Sequence, residues 1–132
     1  EKDIELEAGP FTECFPVHNP KWTAEAMGNI LENAVKYSPA GSTVKIEVRP
    51  LEMYVQVNIR DQGPGIPERD FNKIFQRFYR GSQVEQEEGT GLGLYLAQLI
   101  LQKEKGYITV FSREGQGSCF SLFLLKDQMS RQ

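Results

Sequence analysis

The sequence predicts an α+β fold in which a layer of helices covers one face of a mostly antiparallel sheet. Two observations support this prediction. Apolar residues recur at helical spacing in two long segments, 20–37 and 91–104, which predicts two amphipathic helices. Each segment is followed by two short stretches in which apolar and polar residues alternate, which predicts a β-hairpin after each helix. A two-layer α/β sandwich would bury the apolar faces of both kinds of element.

The first long helix has a recognisable start. Asn19 is a favoured N-cap residue, and Pro20 is favoured at the first helical position. We expect this helix to run to about Tyr37 and to bury one apolar stripe. The stripe consists of Ala26, Met27, Ile30, Leu31, Ala34 and Val35. The second long helix is expected from Gly91 to about Glu104, ended by a glycine at position 106.

The strands and loops follow from alternation and from turn residues. The predicted strands are 3–7, 11–17, 44–48, 53–59, 107–112 and 118–125. A short helix is expected at 67–75, where a proline again stands at the start. The segment 79–90 is polar and rich in Gly, Gln and Glu without an apolar period, which predicts a mobile loop.

The composition is that of one ordinary globular domain. The chain has 132 residues, 39% apolar and 25% charged, so one hydrophobic core can form without disulfide bonds or a structural metal ion. Its 15 basic and 18 acidic residues give a net charge of −3, which argues against nucleic-acid binding. The apolar stretch 92–101 is too short to span a bilayer. We therefore expect a single domain over 1–132, in the cytoplasm, with Cys14 and Cys119 reduced.

The first motif lies on the first long helix. Asn29, Asn33 and Lys36 are four and three residues apart and share one helical face. That face is not the core stripe, because two amides and an ammonium would need partners there. From these residues alone, a solvated helix face and a ligand-binding face both remain open.

The second motif is the loop 61–65, Asp-Gln-Gly-Pro-Gly, directly after a predicted strand. Gly63 and Gly65 allow a close approach of the backbone or a positive φ, and Asp61 is placed to accept a hydrogen bond. An ordinary Gly-Pro turn is the alternative explanation. The motif alone does not decide between the two.

The third and fourth motifs flank the polar loop. In 71–80 the phenylalanines recur at helical spacing, which favours core packing, whereas the arginines border the loop. The segment 89–94, Gly-Thr-Gly-Leu-Gly-Leu, opens the second helix, where bare N–H groups and the helix dipole favour phosphate. It does not fit a dinucleotide fingerprint, because the sequence does not predict a strand at 83–88. A P-loop motif and the protein-kinase signatures are absent from the sequence.

In this order and spacing, the four motifs resemble those of the ATP-binding domains of bacterial sensor histidine kinases. These domains belong to the superfamily of gyrase, the ninety-kilodalton heat-shock chaperone and MutL. Residues 29–37 resemble the family's N box, 61–65 its G1 box, 71–80 its F box and 89–94 its G2 box. The resemblance implies a Bergerat-type two-layer sandwich in which 79–90 form a flexible ATP lid.

The resemblance also implies residues for the two ends of ATP. At the adenine end these are Tyr37, Asp61, Gly63, Gly65, Ile66 and Ser118, with Asp61 accepting from the adenine amino group. At the phosphate end they are Asn33, Lys36, Arg80, Thr90, Gly91, Leu92, Gly93 and Leu94. Asn33 would offer its amide oxygen to Mg²⁺. The residues implied in catalysis are Asn29, Asn33, Lys36 and Arg80.

The implied function is to bind Mg²⁺ and ATP and to transfer the γ-phosphate to a histidine on a separate dimerisation and phosphoacceptor domain. The implied partners are that domain and a response regulator, in a homodimeric parent protein anchored in the bacterial membrane. The one histidine of the sequence, His18, precedes a helix start and has no acidic neighbour. We therefore expect the acceptor to lie elsewhere.

Three alternatives remain at this point. Gyrase-type and chaperone-type ATPases carry a water-activating glutamate where this chain has Asn29, which cannot act as a general base. Anti-sigma serine kinases lack a strong F box, and this chain has a full one in 74–80. A nucleotide sensor without catalysis is compatible with the intact motifs.

Overall fold

The computed structural model describes residues 5–8, 20–71, 73–76 and 93–125 of the chain. In order, the elements are β1 (Glu5–Ala8), α1 (Pro20–Tyr37), β2 (Thr43–Pro50), β3 (Tyr54–Arg60), α2 (Gly93–Lys103), β4 (Tyr107–Arg113) and β5 (Gly117–Leu125). Both long helices and both hairpins are where the sequence predicts them. β1 overlaps the first predicted strand over 5–7 and includes Ala8, while positions 3 and 4 lie outside the described residues.

The strands form one five-stranded sheet in the order β1-β2-β3-β5-β4. β1 runs parallel to β2, and the other neighbouring pairs are antiparallel, so the mostly antiparallel sheet is confirmed. β3 is central and pairs with β5 up to Arg60, which lies opposite Cys119. The end of β3 therefore lies beside the beginning of β5, and Asp61, the next residue, is held at that junction.

Both helices pack on one face of this sheet, which confirms the two-layer sandwich. Ala26, Ile30 and Ala34 of the predicted stripe are buried, and the other three stripe residues pack against the same core. From the strands, the core takes the inward positions Val44, Val57, Ile59, Ile108, Phe120, Leu122 and Leu124. Cys119 is a free, buried thiol, as expected.

α2 ends in a Schellman motif. The N–H of Gly106 donates to the carbonyl of Leu101 at 2.8 Å, and the N–H of Lys105 donates to that of Gln102 at 3.1 Å. The left-handed residue is Lys105, with φ 63°, rather than the glycine. Gly106 is required for a different reason, because a Cβ there would lie 2.1 Å from the carbonyl oxygen of Phe123.

The helix predicted at 67–75 is wrong in type and length. A single 3₁₀ turn covers Glu68–Asp70, and separate turns follow it. A segment this short cannot nucleate an α-helix on its own. Its backbone conformation is therefore decided by how its side chains pack on the core. Ile74 is buried in the core, and the ring of Phe75 meets that of Phe120 edge-on at 6.3 Å.

The predicted strand at 11–17, the predicted lid at 79–90, Cys14 and His18 lie outside the described residues. No helix in the described part of the chain is long and apolar enough to cross a membrane.

Candidate functional site

Asp61 is fixed by one of its two carboxylate oxygens. Its Oδ1 accepts hydrogen bonds from the N–H of Gly63 at 2.9 Å and from the N–H of Ser118 at 3.1 Å. The N–H of Asp61 donates to the carbonyl of Ser118 at 2.8 Å. Oδ2 accepts no hydrogen bond from the described residues. The carboxylate is therefore held in one orientation with an acceptor left for a ligand.

Burial affects the chemistry of this carboxylate. Desolvation raises the pKa of Asp61 above its ordinary value, although the N–H groups of Gly63 and Ser118 act in the opposite direction. The net effect is that ionising Asp61 costs more free energy in the folded protein than in water. A desolvated acid that is also held in one orientation is a common feature of functional sites.

The loop after Asp61 is held against the β4–β5 turn. Gly65 has φ 82°, and a Cβ there would lie 2.2 Å from the carbonyl oxygen of Arg113. The N–H of Gly115 donates to the carbonyl of Pro64 at 2.7 Å. The space that a side chain at Gly65 would need is thus filled by the protein's own backbone. The expectation that a base sits against this glycine remains a prediction.

Gly63 brings the same loop against the end of α1. A Cβ at Gly63 would lie 2.7 Å from the carbonyl oxygen of Tyr37. Gly93, the first residue of α2, lies near an earlier turn of α1, because a Cβ at Gly93 would lie 3.9 Å from Asn29. Asn29 and Tyr37 are eight residues apart, which is roughly 12 Å along a helix at 1.5 Å per residue. Gly63 and Gly93 therefore lie near α1 at the two ends of an elongated candidate site.

Four side chains on this stretch of α1 are polar or aromatic and half-buried. They are Asn29, Asn33, Lys36 and Tyr37, and the Lys36 ammonium lies 5.5 Å from the centre of the Tyr37 ring. The Nδ2 of Asn29 is buried and has no hydrogen-bond partner among the described residues. An unpaired buried donor is costly, and it suits an anionic acceptor. Of the two explanations left open by the sequence, the buried Nδ2 argues against a solvated face.

Ser112 belongs to the site and was not singled out from the sequence. Its Oγ accepts from the N–H of Ile66 at 2.7 Å and lies 2.8 Å from the Oγ of Ser118. Both serines are buried. The sequence contains a weak indication of this role, because Ser112 follows Ile108 and Val110 at the inward positions of β4. A polar residue in that series requires a partner.

Several predicted residues cannot be placed. Arg80, Thr90, Gly91 and Leu92 lie outside the described residues. Leu94 is in the first turn of α2 and packs against the core, so only its backbone could serve a ligand. No group of three or more His, Cys, Asp or Glu that could hold a metal ion occurs in the described part of the chain. That Asn33 is a metal ligand remains a prediction.

Comparison with known proteins gives one family. The model of the histidine kinase-, DNA gyrase B-, and HSP90-like ATPases matches residues 18–128. The adaptive-response sensory kinase SasA of Synechococcus sp. strain JA-2-3B'a(2-13) is 38% identical over 125 residues, which is 93% of this chain and 33% of that protein. The sensor protein kinase PmrB of Pseudomonas aeruginosa is 35% identical over 129 residues, 97% of this chain and 27% of that protein.

Solved structures agree with this result. The mycobacterial sensor histidine kinase MprB is similar with a TM-score of 0.79 and 27% identity, over 94% of this chain and 83% of that one. The catalytic domain of the histidine kinase ThkA gives a TM-score of 0.79 and 26% identity, over 94% and 81%. The chain thus spans about a third of the length of the SasA relatives and most of the length of these solved domains.

Proposed function

The chain belongs to the family of histidine kinase-, DNA gyrase B-, and HSP90-like ATPases, and from that premise we propose that it is the ATP-binding catalytic domain of a sensor histidine kinase. In this proposal the domain binds ATP with Mg²⁺. It transfers the γ-phosphate to a histidine carried by a separate helical domain.

The observation that carries the proposal is the arrangement of Asp61. Its Oδ1 is held by two backbone N–H groups, and Oδ2 remains to accept from a ligand. The exocyclic amino group of adenine is a donor that fits this acceptor. Guanine would present a carbonyl at the same place and leave two acceptors opposed, which is unfavourable.

The other end of the elongated site suits phosphate. The buried Nδ2 of Asn29 is a donor without a described partner, and Gly93 begins α2 beside it. A helix N-terminus and a nearby ammonium such as Lys36 both favour anions. These features orient the nucleotide along α1, with the base near Tyr37 and the phosphates near Asn29.

Mg²⁺ fits the residues on α1 only together with ATP. The Asn33 side chain offers an amide oxygen, a hard ligand of the kind that Mg²⁺ takes in addition to phosphate oxygens and water. When bound, the ion would neutralise charge on the phosphates and polarise the γ-phosphorus. The protein's own part is to hold the β- and γ-phosphates in line with an incoming nucleophile.

The transfer itself needs a nucleophile from outside this chain. A histidine nitrogen would attack the γ-phosphorus while the bond to the β-phosphate oxygen breaks and ADP leaves. Asn29 cannot take a proton from water, so slow hydrolysis is expected. We propose Arg80 and the segment 79–90 as the lid that excludes water.

The rest of the parent protein is inferred from the same premise. We propose a homodimer joined through the histidine-bearing domain, a response regulator as the final phosphate acceptor, and an anchor in the bacterial membrane with this domain in the cytoplasm. Serine-kinase activity and a non-catalytic nucleotide sensor are the competing functions. Each has a distinct outcome in one experiment.

The experiment is incubation with γ-labelled ATP, with and without a histidine-bearing helical domain expressed from the same gene. An acid-labile, base-stable label on that helical domain and none on this chain is the expected result. Rapid release of phosphate by this chain alone would favour an ATPase. A label on serine or threonine of a partner would favour the serine-kinase function. Binding of ATP without a label on any protein and without release of phosphate would favour the nucleotide sensor.

A further inference from the structure

Ser112 makes three close polar contacts with a single hydroxyl. Its Oγ lies 2.7 Å from the nitrogen of Ile66, 2.9 Å from the carbonyl oxygen of Gly117 and 2.8 Å from the Oγ of Ser118. Ser112 and Ser118 are both about 8% exposed, so water does not readily replace these partners. The three contacts link the loop after Asp61, the backbone at the start of β5 and the side chain of Ser118.

The direction of each hydrogen bond follows from counting protons. A carbonyl cannot donate, so the one hydroxyl proton of Ser112 goes to the oxygen of Gly117. The N–H of Ile66 uses one lone pair of the Ser112 oxygen. The remaining lone pair must accept from Ser118, so the hydroxyl proton of Ser118 points to Ser112. This is the assignment in which all three contacts are hydrogen bonds.

Ser118 is then left with acceptor lone pairs only. The backbone of Ser118 also binds Asp61: its N–H donates to Oδ1, and its carbonyl accepts from the N–H of Asp61. The other carboxylate oxygen, Oδ2, is a further acceptor. A ligand or bridging water that contacts both the Ser118 hydroxyl and this carboxylate must therefore supply donors to both. A water that donates both its protons in this way would in turn accept only from a donor on the ligand.

We propose that Ser112 is a positioning residue that sets nucleotide specificity. Its oxygen accepts the hydroxyl proton of Ser118, so Ser118 can offer only acceptor lone pairs to a ligand beside Asp61. This inference rests on the proposed function, in which the base of ATP lies at this site. The ligand chemistry that it selects is a heterocycle whose edge donates hydrogen bonds, as the adenine amino group does.

The test compares two diphosphates that differ only at this edge. ADP donates from its amino group, whereas 6-methoxypurine riboside 5′-diphosphate carries acceptors only. Calorimetry gives the ratio of their affinities in the wild type and in Ser112→Ala. In the variant, the hydroxyl of Ser118 is released to donate, so the ratio should fall by about three- to tenfold, the worth of one hydrogen bond.

Three further variants separate positioning from a general structural role. Ser112→Thr keeps the hydroxyl and should restore the wild-type ratio. Ser121→Ala removes a serine on β5, the strand of Ser118, whose hydroxyl donates to Asn58 at 2.6 Å, and it should leave the ratio unchanged. Ser118→Ala keeps the Ser112 bonds to Ile66 and Gly117. It should lower the ratio as Ser112→Ala does, which covers the case that Ser112→Ala fails to fold.

Two results would overturn the inference. One is an equal loss of affinity for both diphosphates in Ser112→Ala, which a merely structural role would give. The other is a wild-type ratio in Ser118→Ala. Failure of the wild type to bind ADP at all would be different, because it would refute the proposed function itself.

Discussion

The backbone N–H of Ser118 donates to the carboxylate of Asp61 at 3.1 Å, although 57 positions separate the two residues. The bond exists because β3 and β5 are neighbours in register, with Arg60 opposite Cys119. The orientation of the carboxylate is therefore a property of the sheet and not of the loop alone. A site built in this way is preorganised before any nucleotide arrives.

Asp61→Asn should separate binding from stability. Asparagine keeps an oxygen for the two N–H groups but places a donor where Oδ2 stood, so ATP and ADP should both bind much more weakly. The same variant should not destabilise the nucleotide-free protein, because it removes a desolvated acid. Calorimetry and urea unfolding give the two quantities. Glu52→Gln, the same charge change at an exposed position, is the control and should bind ATP normally.

The difference in stability between Asp61→Asn and the wild type should change with pH in a definite direction. The pKa of Asp61 is raised above 3.8 in the folded protein, so the folded state holds its proton more tightly than the unfolded state. The contribution of Asp61 to stability is therefore fully present below pH 3.8 and is lost as pH rises through the folded pKa. The stability of Asp61→Asn relative to the wild type should grow over that window and then level off. A relative stability that fell over the window would show that the pKa is lowered.

Asn29 and Asn58 form a matched pair of buried or half-buried asparagines. Asn58 is 2% exposed, and its Oδ1 accepts from Gln56 at 2.8 Å and from Ser121 at 2.6 Å. Asn58→Ala should lower the free energy of unfolding by about 1–3 kcal/mol and leave ATP affinity unchanged. Asn29→Ala removes a donor without a described partner, so it should cost little stability but weaken ATP binding. If Asn29→Ala lost stability but kept its ATP affinity, Asn29 would not belong to the phosphate site.

Asn33→Ala should act through the metal. ATP affinity is measured by calorimetry with Mg²⁺ and with a chelator, and the wild type should bind more tightly with Mg²⁺. In the variant this difference should shrink, while the affinity without metal stays close to that of the wild type. Glu32→Ala, an exposed neighbour on α1, is the control and should keep the full Mg²⁺ effect. An unchanged Mg²⁺ effect in Asn33→Ala would refute the assignment of this ligand.

Three glycine-to-alanine variants test the backbone explanation of the first glycine loop. Gly28→Ala on α1 meets nothing within 4 Å and should stabilise the protein by about 0.5–1 kcal/mol. Gly65→Ala must hold a positive φ and meets a carbonyl, so it should lose at least about 1–2 kcal/mol. Gly63→Ala should lie between the two. Thermal unfolding ranks them, and a Gly65→Ala variant as stable as Gly28→Ala would contradict the close contact of Gly65 with the carbonyl of Arg113.

The periodic features were predictable because they are local. The stripe of α1, the alternation of β2 and β3 and the closing hairpin each show in a few consecutive residues, and each is confirmed. The order of the four motifs also predicted the family. Asp61 was identified in the same way, as an acid at the end of a strand.

Features fixed by distant partners were missed. Ser112 looks ordinary in sequence, since its role depends on Ile66, 46 positions away. The 67–75 segment was predicted as a helix because the packing of Ile74 and Phe75 on the core cannot be seen from spacing alone. At Gly65 a positive φ was among the expectations, but its contact with the carbonyl of Arg113 on another strand was not predictable from the sequence.

In the proposed function, this chain binds adenine nucleotides through the Oδ2 acceptor of Asp61. Calorimetric titration of the unmodified protein with ADP and with GDP is the decisive measurement. The expected result is saturable binding of ADP, with GDP bound at least about tenfold more weakly because its carbonyl would oppose Oδ2. Absence of ADP binding at millimolar concentration, or equal affinity for the two nucleotides, would contradict the claim.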